Sequence, residues 1–362
     1  MFTAVSNGAG AAAKKETPLQ KANAALKKYE GATILPKPGP KFNASSAAND
    51  GPVVVASYLS ENPAIGEANG GFVAAMTHEG ITPNVLDGLG SPTQDNTNIA
   101  LGVSEGAAAI LAQGSDPSSF QSTLSTANQA KIPVIEGMDT DPATTKLYSG
   151  ITANAGPPWA LVGDLMADYV VSSNNGKGHI NVFYLDTPDV TGSLQELAAF
   201  KRTLKSLSPS AKIEEAGCTA ASWATCVEPA TLSALQANPG VNYVVPSFDP
   251  MIPYSDAAIT QLNAKVRVVT SGGTEPFMAD LQKGTGVNCE VGIDYPALGL
   301  LEADQALRAI VGAKQVKAYE APIKVFTKAN IAGLNLTAST APASYYVANP
   351  ATLNNAFYAS WK

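Results

Sequence analysis

The chain has 362 residues, 45% of them hydrophobic, enough for two domains with cores of their own. A formal net charge of −7 argues against nucleic acid or an anionic membrane as partner, and no apolar run is long enough to span a bilayer. Arginine, the usual bidentate clamp for carboxylate and phosphate, occurs only at Arg202, Arg267 and Arg308, each in a predicted helix or strand body.

Met1–Gly10 has neither the charged start nor the apolar stretch of a secretory leader. A cytoplasmic chain and a mature chain whose leader was removed both fit, and the small residues of Ser6–Ala13, soft as a trimmed linker, favour the second. Thr17–Tyr29 reads as a helix capped by Thr17 with Pro18 in first position. Gly31–Gly51, rich in Pro, Lys, Asn and Ser, reads as a surface linker.

From Val53 the pattern changes. Val53–Ala56 is a buried strand, and Ser57–Glu61, with Tyr58, its exit turn. Asn62-Pro63-Ala64 opens a helix through Ala75 with Ile65, Phe72 and Met76 facing inward. Asn84–Leu86 is a short strand, and a helix follows from Thr97. Ala107–Ala112, Gln113–Pro117, Ser118–Ala130 and Ile132–Ile135 then read as strand, turn, helix and strand. Strands joined by helices run parallel, and ligands of such sheets bind beyond the carboxyl ends of the strands. The turns Gln113–Asp116 and Glu136–Asp141 are therefore where function is sought.

A second half repeats the alternation. Helices are expected at Trp159–Val171, Ser193–Leu207, Glu228–Ala237, Ser255–Leu262, Glu275–Gly284 and Ala297–Ile310. Strands are expected at His179–Leu185, Ala211–Glu215, Tyr243–Pro246, Val266–Thr270, Cys289–Ile293 and Ala321–Phe326. Cys218 and Cys226 flank a short polar loop, Thr219–Thr225, which holds Trp223. Two thiols this close can bridge, the more so outside the cytoplasm; Cys289 is left as a small buried residue. The spacing is not a zinc pattern, so no metal is expected.

Several local motifs, in this order, resemble the type I periplasmic solute-binding proteins of ABC importers, the ribose/galactose-type group. They are Asn62-Pro63, Asp116-Pro117, Ala130-Lys131-Ile132-Pro133-Val134-Ile135, Asn154 followed by Gly163–Tyr169, Phe248-Asp249-Pro250-Met251, and Gly299 after Asp294. The resemblance covers Val53 to Phe326. It implies an α/β fold of two doubly wound parallel-sheet lobes, joined by crossovers near Thr152–Asn154, Ile293–Asp294 and Ala321–Ile323. Residues 53–153 plus 294–321 would form one lobe, 154–293 plus 322–362 the other, and 1–52 a tail with its helix. Hinge closure on a ligand is what this class is known for.

The resemblance also implies where ligand would sit. Tyr58 lies in the first exit turn. Asn62 matches a polar contact and equally suits a helix cap. Ala64 and Ile65 stand where sugar binders place stacking aromatics, and Met138-Asp139 where they carry an Asp-Arg pair. Glu196 (or Gln195) stands near their helix arginine. Trp223 falls at an aromatic wall in an exposed loop. Phe248-Asp249 replaces Asn-Asp, with Phe248 a wall and Asp249 more often a cap. Ser271 lies in a turn lacking their Asp, and Asp294 with Tyr295 at the late crossover. Arginine is absent from every such position. A neutral, partly apolar or aromatic molecule is expected, or one with hydroxyl or amine groups facing Asp139, Glu196 and Asp294.

The function so implied is capture of a small molecule by a monomeric extracytoplasmic protein, periplasmic or cell-surface lipoprotein. No cofactor is expected, and delivery would be to an ABC permease. Presentation of ligand to a chemoreceptor or histidine kinase is the alternative. A catalytic reading is weak, because neither His78 nor His179 lies near a nucleophile motif and no Gly-x-Ser-x-Gly or Walker sequence occurs. A transcriptional regulator would need a DNA-binding module before Val53, for which the tail is too short.

Overall fold

The chain's own punctuation sets the start of its first helix. In the computed structural model α1 (Pro18–Glu30) begins at a reciprocal capping box between Thr17 and Gln20. The structure describes residues 16–336, 345–347 and 349–362; the stretch Ser6–Ala13 lies outside them.

The first sheet is built from β1 (Val53–Ser57), β2 (Asn84–Asp87), β3 (Ala109–Gln113), β4 (Val134–Gly137) and β5 (Ala153–Ala155), in order β2-β1-β3-β4-β5 and parallel throughout. The helices between them are α2 (Pro63–His78), α3 (Pro92–Ser104) and α4 (Gln121–Gln129). Every residue of β1, β3 and β4 is buried, as befits strands covered by helices on both faces. Proline at the first position, behind an Asn or Ser whose side-chain oxygen takes up free amide hydrogens, starts both α2 and α3.

The second lobe runs α5 (Trp159–Asn174), β6 (Asn181–Asp186), α6 (Thr191–Leu207), β7 (Lys212–Gly217), α7 (Trp223–Ala237), β8 (Tyr243–Pro246), α8 (Ile252–Gln261), β9 (Arg267–Gly272), α9 (Glu275–Lys283) and β10 (Cys289–Ile293). The chain then returns to the first lobe as α10 (Tyr295–Ile310), which packs along α2, and comes back as β11 (Ile323–Thr327) and α11 (Lys328–Ile331). The second sheet has the order β11-β10-β9-β8-β6-β7. Its last strand departs from the expected all-parallel pattern: β11 is antiparallel to β10, since no helix separates its entry from the hinge. The two lobes and their crossed connections are those the resemblance implied.

Three boundaries differ from the sequence reading. Ala153–Ala155 pairs with β4 as an extra edge strand, so the first crossover lies just after it, where Gly156 exchanges backbone hydrogen bonds with Tyr319 and Ala321. The final helix α12 (Pro350–Tyr358) packs on α10, so the end of the chain lies against the first lobe rather than with 322–336 on the second. Gly31–Gly51 is not a free linker. The Thr33 hydroxyl donates to Tyr346 O, Arg308 donates to Pro40 O, and the Phe42 and Ala44 amides donate to Ser360 O and Trp361 O. This strap links the second lobe, where α1 packs on α5, to the first.

Candidate functional site

Both sheets point the carboxyl ends of their parallel strands at one another, and the space between is a cavity of about 60 Å³. The first lobe supplies Tyr58, Leu59, Asn62, Ala64 and Ile65 after β1, Gly114 after β3, and Met138 and Asp139 after β4. The second supplies Val190 after β6, Ala220 and Trp223 after β7, Phe248, Asp249 and Pro250 after β8, and Ser271 of β9. Trp159 and Tyr295 enter from the starts of α5 and α10, beside the hinge.

Of the residues singled out from sequence, Tyr58, Asn62, Ile65, Met138, Asp139, Trp223, Phe248, Asp249 and Ser271 are brought together here. Glu196 and Asp294 are not. Glu196 is fully buried beneath the cavity, where it accepts from the Tyr184 hydroxyl at 2.6 Å and from Ser271 Oγ at 2.8 Å. Burial pushes its pKa up to about 8. Asp294 caps α10 through the Ala297 amide and borders a separate cavity of about 310 Å³ with Glu67.

Of the two roles open to Asn62, the structure shows the cap, and two other roles, at Trp223 and Asp249, differ from expectation. Asn62 Oδ1 accepts from the Ala64 amide at 3.0 Å, so it is a helix cap that also borders the cavity. Trp223 is not in an exposed loop. A 3₁₀ turn, Ala220–Ser222, leads straight into α7, and Trp223 is its first residue, only 9% exposed, with Nε1 donating to Thr187 Oγ1. Asp249 is no cap. Its Oδ2 accepts from the Thr274 amide and hydroxyl, tying the turn after β8 to that after β9, and its carboxyl shares a buried hydrogen bond with Glu290. The bridge between Cys218 and Cys226 is formed, with Cα atoms 5.8 Å apart, and Cys289 is free and buried.

The aromatic wall is larger than the sequence suggested. Phe248 stands between Trp159 (ring centroids 5.6 Å) and Trp223 (6.2 Å). Tyr295, named with Asp294 at the late crossover, lines the cavity, whereas Trp159 gave no signal because helix periodicity marks it as core; it too starts a helix directly after a crossover, which is the feature that could have found it. Met138 adopts φ 72°, a left-handed backbone unfavourable for a side chain of this size. Its carbonyl, so turned, accepts from Trp159 Nε1 at 2.9 Å.

The lobes are latched around the cavity. Asp139 Oδ1 accepts from the Thr191 amide at the start of α6. Gln195 Oε1 accepts from the Asp141 amide and its Nε2 donates to Thr145 Oγ1. Gln195, rather than its neighbour Glu196, reaches the opposite lobe. Among the described residues no group of three or more His, Cys, Asp or Glu side chains is placed to hold a metal.

Two α/β lobes that close a cavity between the carboxyl ends of their strands define a ligand-capturing protein of the bilobal kind. Residues 53–314 match the model of the periplasmic binding protein domain, and the chain belongs to that family. Comparison with curated proteins yields no match. Solved structures of the same fold include the 5-methylthioribose transporter solute-binding protein of Thermotoga lettingae in complex with 5-methylthioribose. It is 17% identical, with TM-score 0.72, and the match covers 87% of this chain and 98% of that one. Another is an ABC transporter solute-binding protein of Mycobacterium smegmatis with bound glycerol (18% identical, TM-score 0.70, 80% and 99% covered). A third is the periplasmic binding protein of the arabinose transporter of Shewanella sp. ANA-3, bound to α- and β-L-arabinofuranose (18%, 0.68, 83% and 97%).

Proposed function

We propose that this chain works outside the cytoplasm as the solute-binding component of an ABC importer, capturing one small molecule between its lobes and presenting the closed form to a membrane permease. The observation that carries this reading is the cavity itself, lined from both lobes and closed by direct lobe-to-lobe hydrogen bonds at Asp139, Gln195 and Trp159. A ligand touching both walls binds the closed form better than the open one, and that difference shifts the population. The protein acts as a monomeric binder, without catalysis or cofactor. The solved relatives support a small polar or mixed solute as cargo, since those named above hold glycerol, arabinofuranose or a methylthio sugar.

The test pairs thermal unfolding with small-angle scattering across sugars, polyols, amino acids and amines. A true ligand stabilises by RT ln(1 + [L]/Kd), about 2.7 kcal/mol at a hundredfold excess over Kd, and holds the lobes at the closed separation. A ligand that raises the melting temperature while the lobe separation stays that of the ligand-free protein would argue against capture by closure.

A further inference from the structure

The indole and serine donors around the cavity are spent on the protein. Trp159 Nε1 donates to Met138 O, Trp223 Nε1 to Thr187 Oγ1, and Ser271 Oγ to Glu196 and Ser247 O. No lysine, arginine or histidine lines the cavity. All three arginines are engaged elsewhere: Arg202 with Asp164, Arg308 with Asp304, and Arg267 with the Tyr243 hydroxyl. Besides the Tyr58 hydroxyl and the Asn62 amide nitrogen, which have no partner among the described residues, one buried acceptor stays uncommitted. Asp139 is 1% exposed, its Oδ1 accepts from Thr191, and its Oδ2, also buried, has no partner.

The geometry points to a small organic cation, a primary ammonium on a compact apolar or aromatic body, as the ligand class of this cavity, with Asp139 Oδ2 taking the ammonium protons and the Trp159–Phe248–Trp223 wall covering the body. This rests on the binding-protein reading above. A carboxylate or phosphate ligand would meet a wall without cations. A sugar would find the indole and serine donors of the wall already committed, and would have to share the Tyr58 hydroxyl, Asn62 Nδ2 and Asp139 Oδ2 among four or more hydroxyls. An ammonium is donor-only and matches a lone buried acceptor, while aromatic rings attract cations and shield their carbon.

The surrounding charges have the same sign. Asp116 is the charged group that acts on Asp139, and Asp189 and Asp95 act on Tyr58. Asp249 faces the cavity from the second lobe. Burial and Asp116 push the Asp139 pKa up to about 7, the mark of a carboxylate held without a counter-ion.

Calorimetry in amine-free buffer tests this with matched pairs: isobutylamine against isobutanol, benzylamine against benzyl alcohol, with D-ribose and L-arabinose alongside. At least one amine should bind about tenfold or more tightly than its alcohol, the advantage of a hydrogen bond to a charged partner. Asp139→Asn should reduce that preference to within about threefold while leaving the circular dichroism spectrum unchanged. The wild-type comparison stands by itself if the variant does not fold. Equal binding of amine and alcohol, or silence of every amine, overturns the proposal. A sugar that binds and closes the lobes while the amines stay silent overturns it too, yet leaves the binding-protein reading intact. Silence of the whole panel, with no change in lobe separation, counts against both.

Discussion

Arg308 shows how much one side chain can organise. It is 1% exposed, pairs with Asp304 one turn earlier on α10 at 2.8 Å, donates to Pro40 O and Lys314 O, and lies 4.4 Å from the centroid of the Phe42 ring. Asp304 is held as well by Trp361 Nε1 at 2.7 Å. Arg308→Ala would strand a buried carboxylate and release the strap together. Urea unfolding should report a loss of about 3–5 kcal/mol, the usual cost of breaking a buried pair from one side. Arg308→Lys should recover only part of this, because a single ammonium cannot reproduce the guanidinium's fork of donors. At this scale the sequence was partly legible. The Asn62 and Thr17 caps follow from residue type and position, whereas Arg308's burial depends on two segments remote in sequence, the strap at Pro40–Phe42 and the chain end at Trp361. Of the pair Glu196 and Gln195 left open by the sequence, Gln195 reaches the other lobe, since helix spacing alone does not say which of the two faces it.

Between elements, two helix pairs approach closely through glycine. A methyl group on Gly299 of α10 would collide with Ala68 O and Phe72 N of α2, and one on Gly163 of α5 with Glu196 O of α6. Gly299→Ala should therefore cost about 1–3 kcal/mol by pushing α10 off α2, read as a lower urea midpoint with an unchanged slope. Both glycines stood in the motifs that carried the family resemblance, so the sequence marked the contact before the helices were seen. Buried strands such as Val53–Ala56 and Tyr243–Pro246 were equally plain, being continuous apolar runs between turn residues. β5 was not, because three residues carry no periodicity. Nor was α12, whose face is defined by α10 rather than by a strong pattern of its own.

The molecule as a whole buries many carboxyl groups with few cations to meet them. Burial, the largest cause in each case, raises Asp139 and Asp294 to about 7 and Glu67, Glu136 and Glu196 to about 8. Between the unfolded value near 4 and these folded values, the native chain holds more protons than the unfolded one, so stability falls as pH rises. The contribution is complete below about pH 4 and is lost through pH 7–8. Each net proton is worth about 1.4 kcal/mol per pH unit. Melting temperature should thus drop by several degrees from pH 5.5 to 8.5, and a flat or rising profile would contradict these assignments.

The strap that joins α1 to the first lobe runs across the hinge. It is fastened to Tyr346 by Thr33 and to Arg308 by Pro40, and its residues Ile34–Lys37 border, with Pro158 and Glu320–Ile323, a cavity directly over the crossovers. Pro36, Pro38 and Pro40 fix alternate φ angles and leave the span little slack. A rotation that parts the lobes has to be absorbed in those few stiff residues. If the lobes part as proposed, this strap lies across the pivot and has to bend at Gly39 or peel away as the mouth widens.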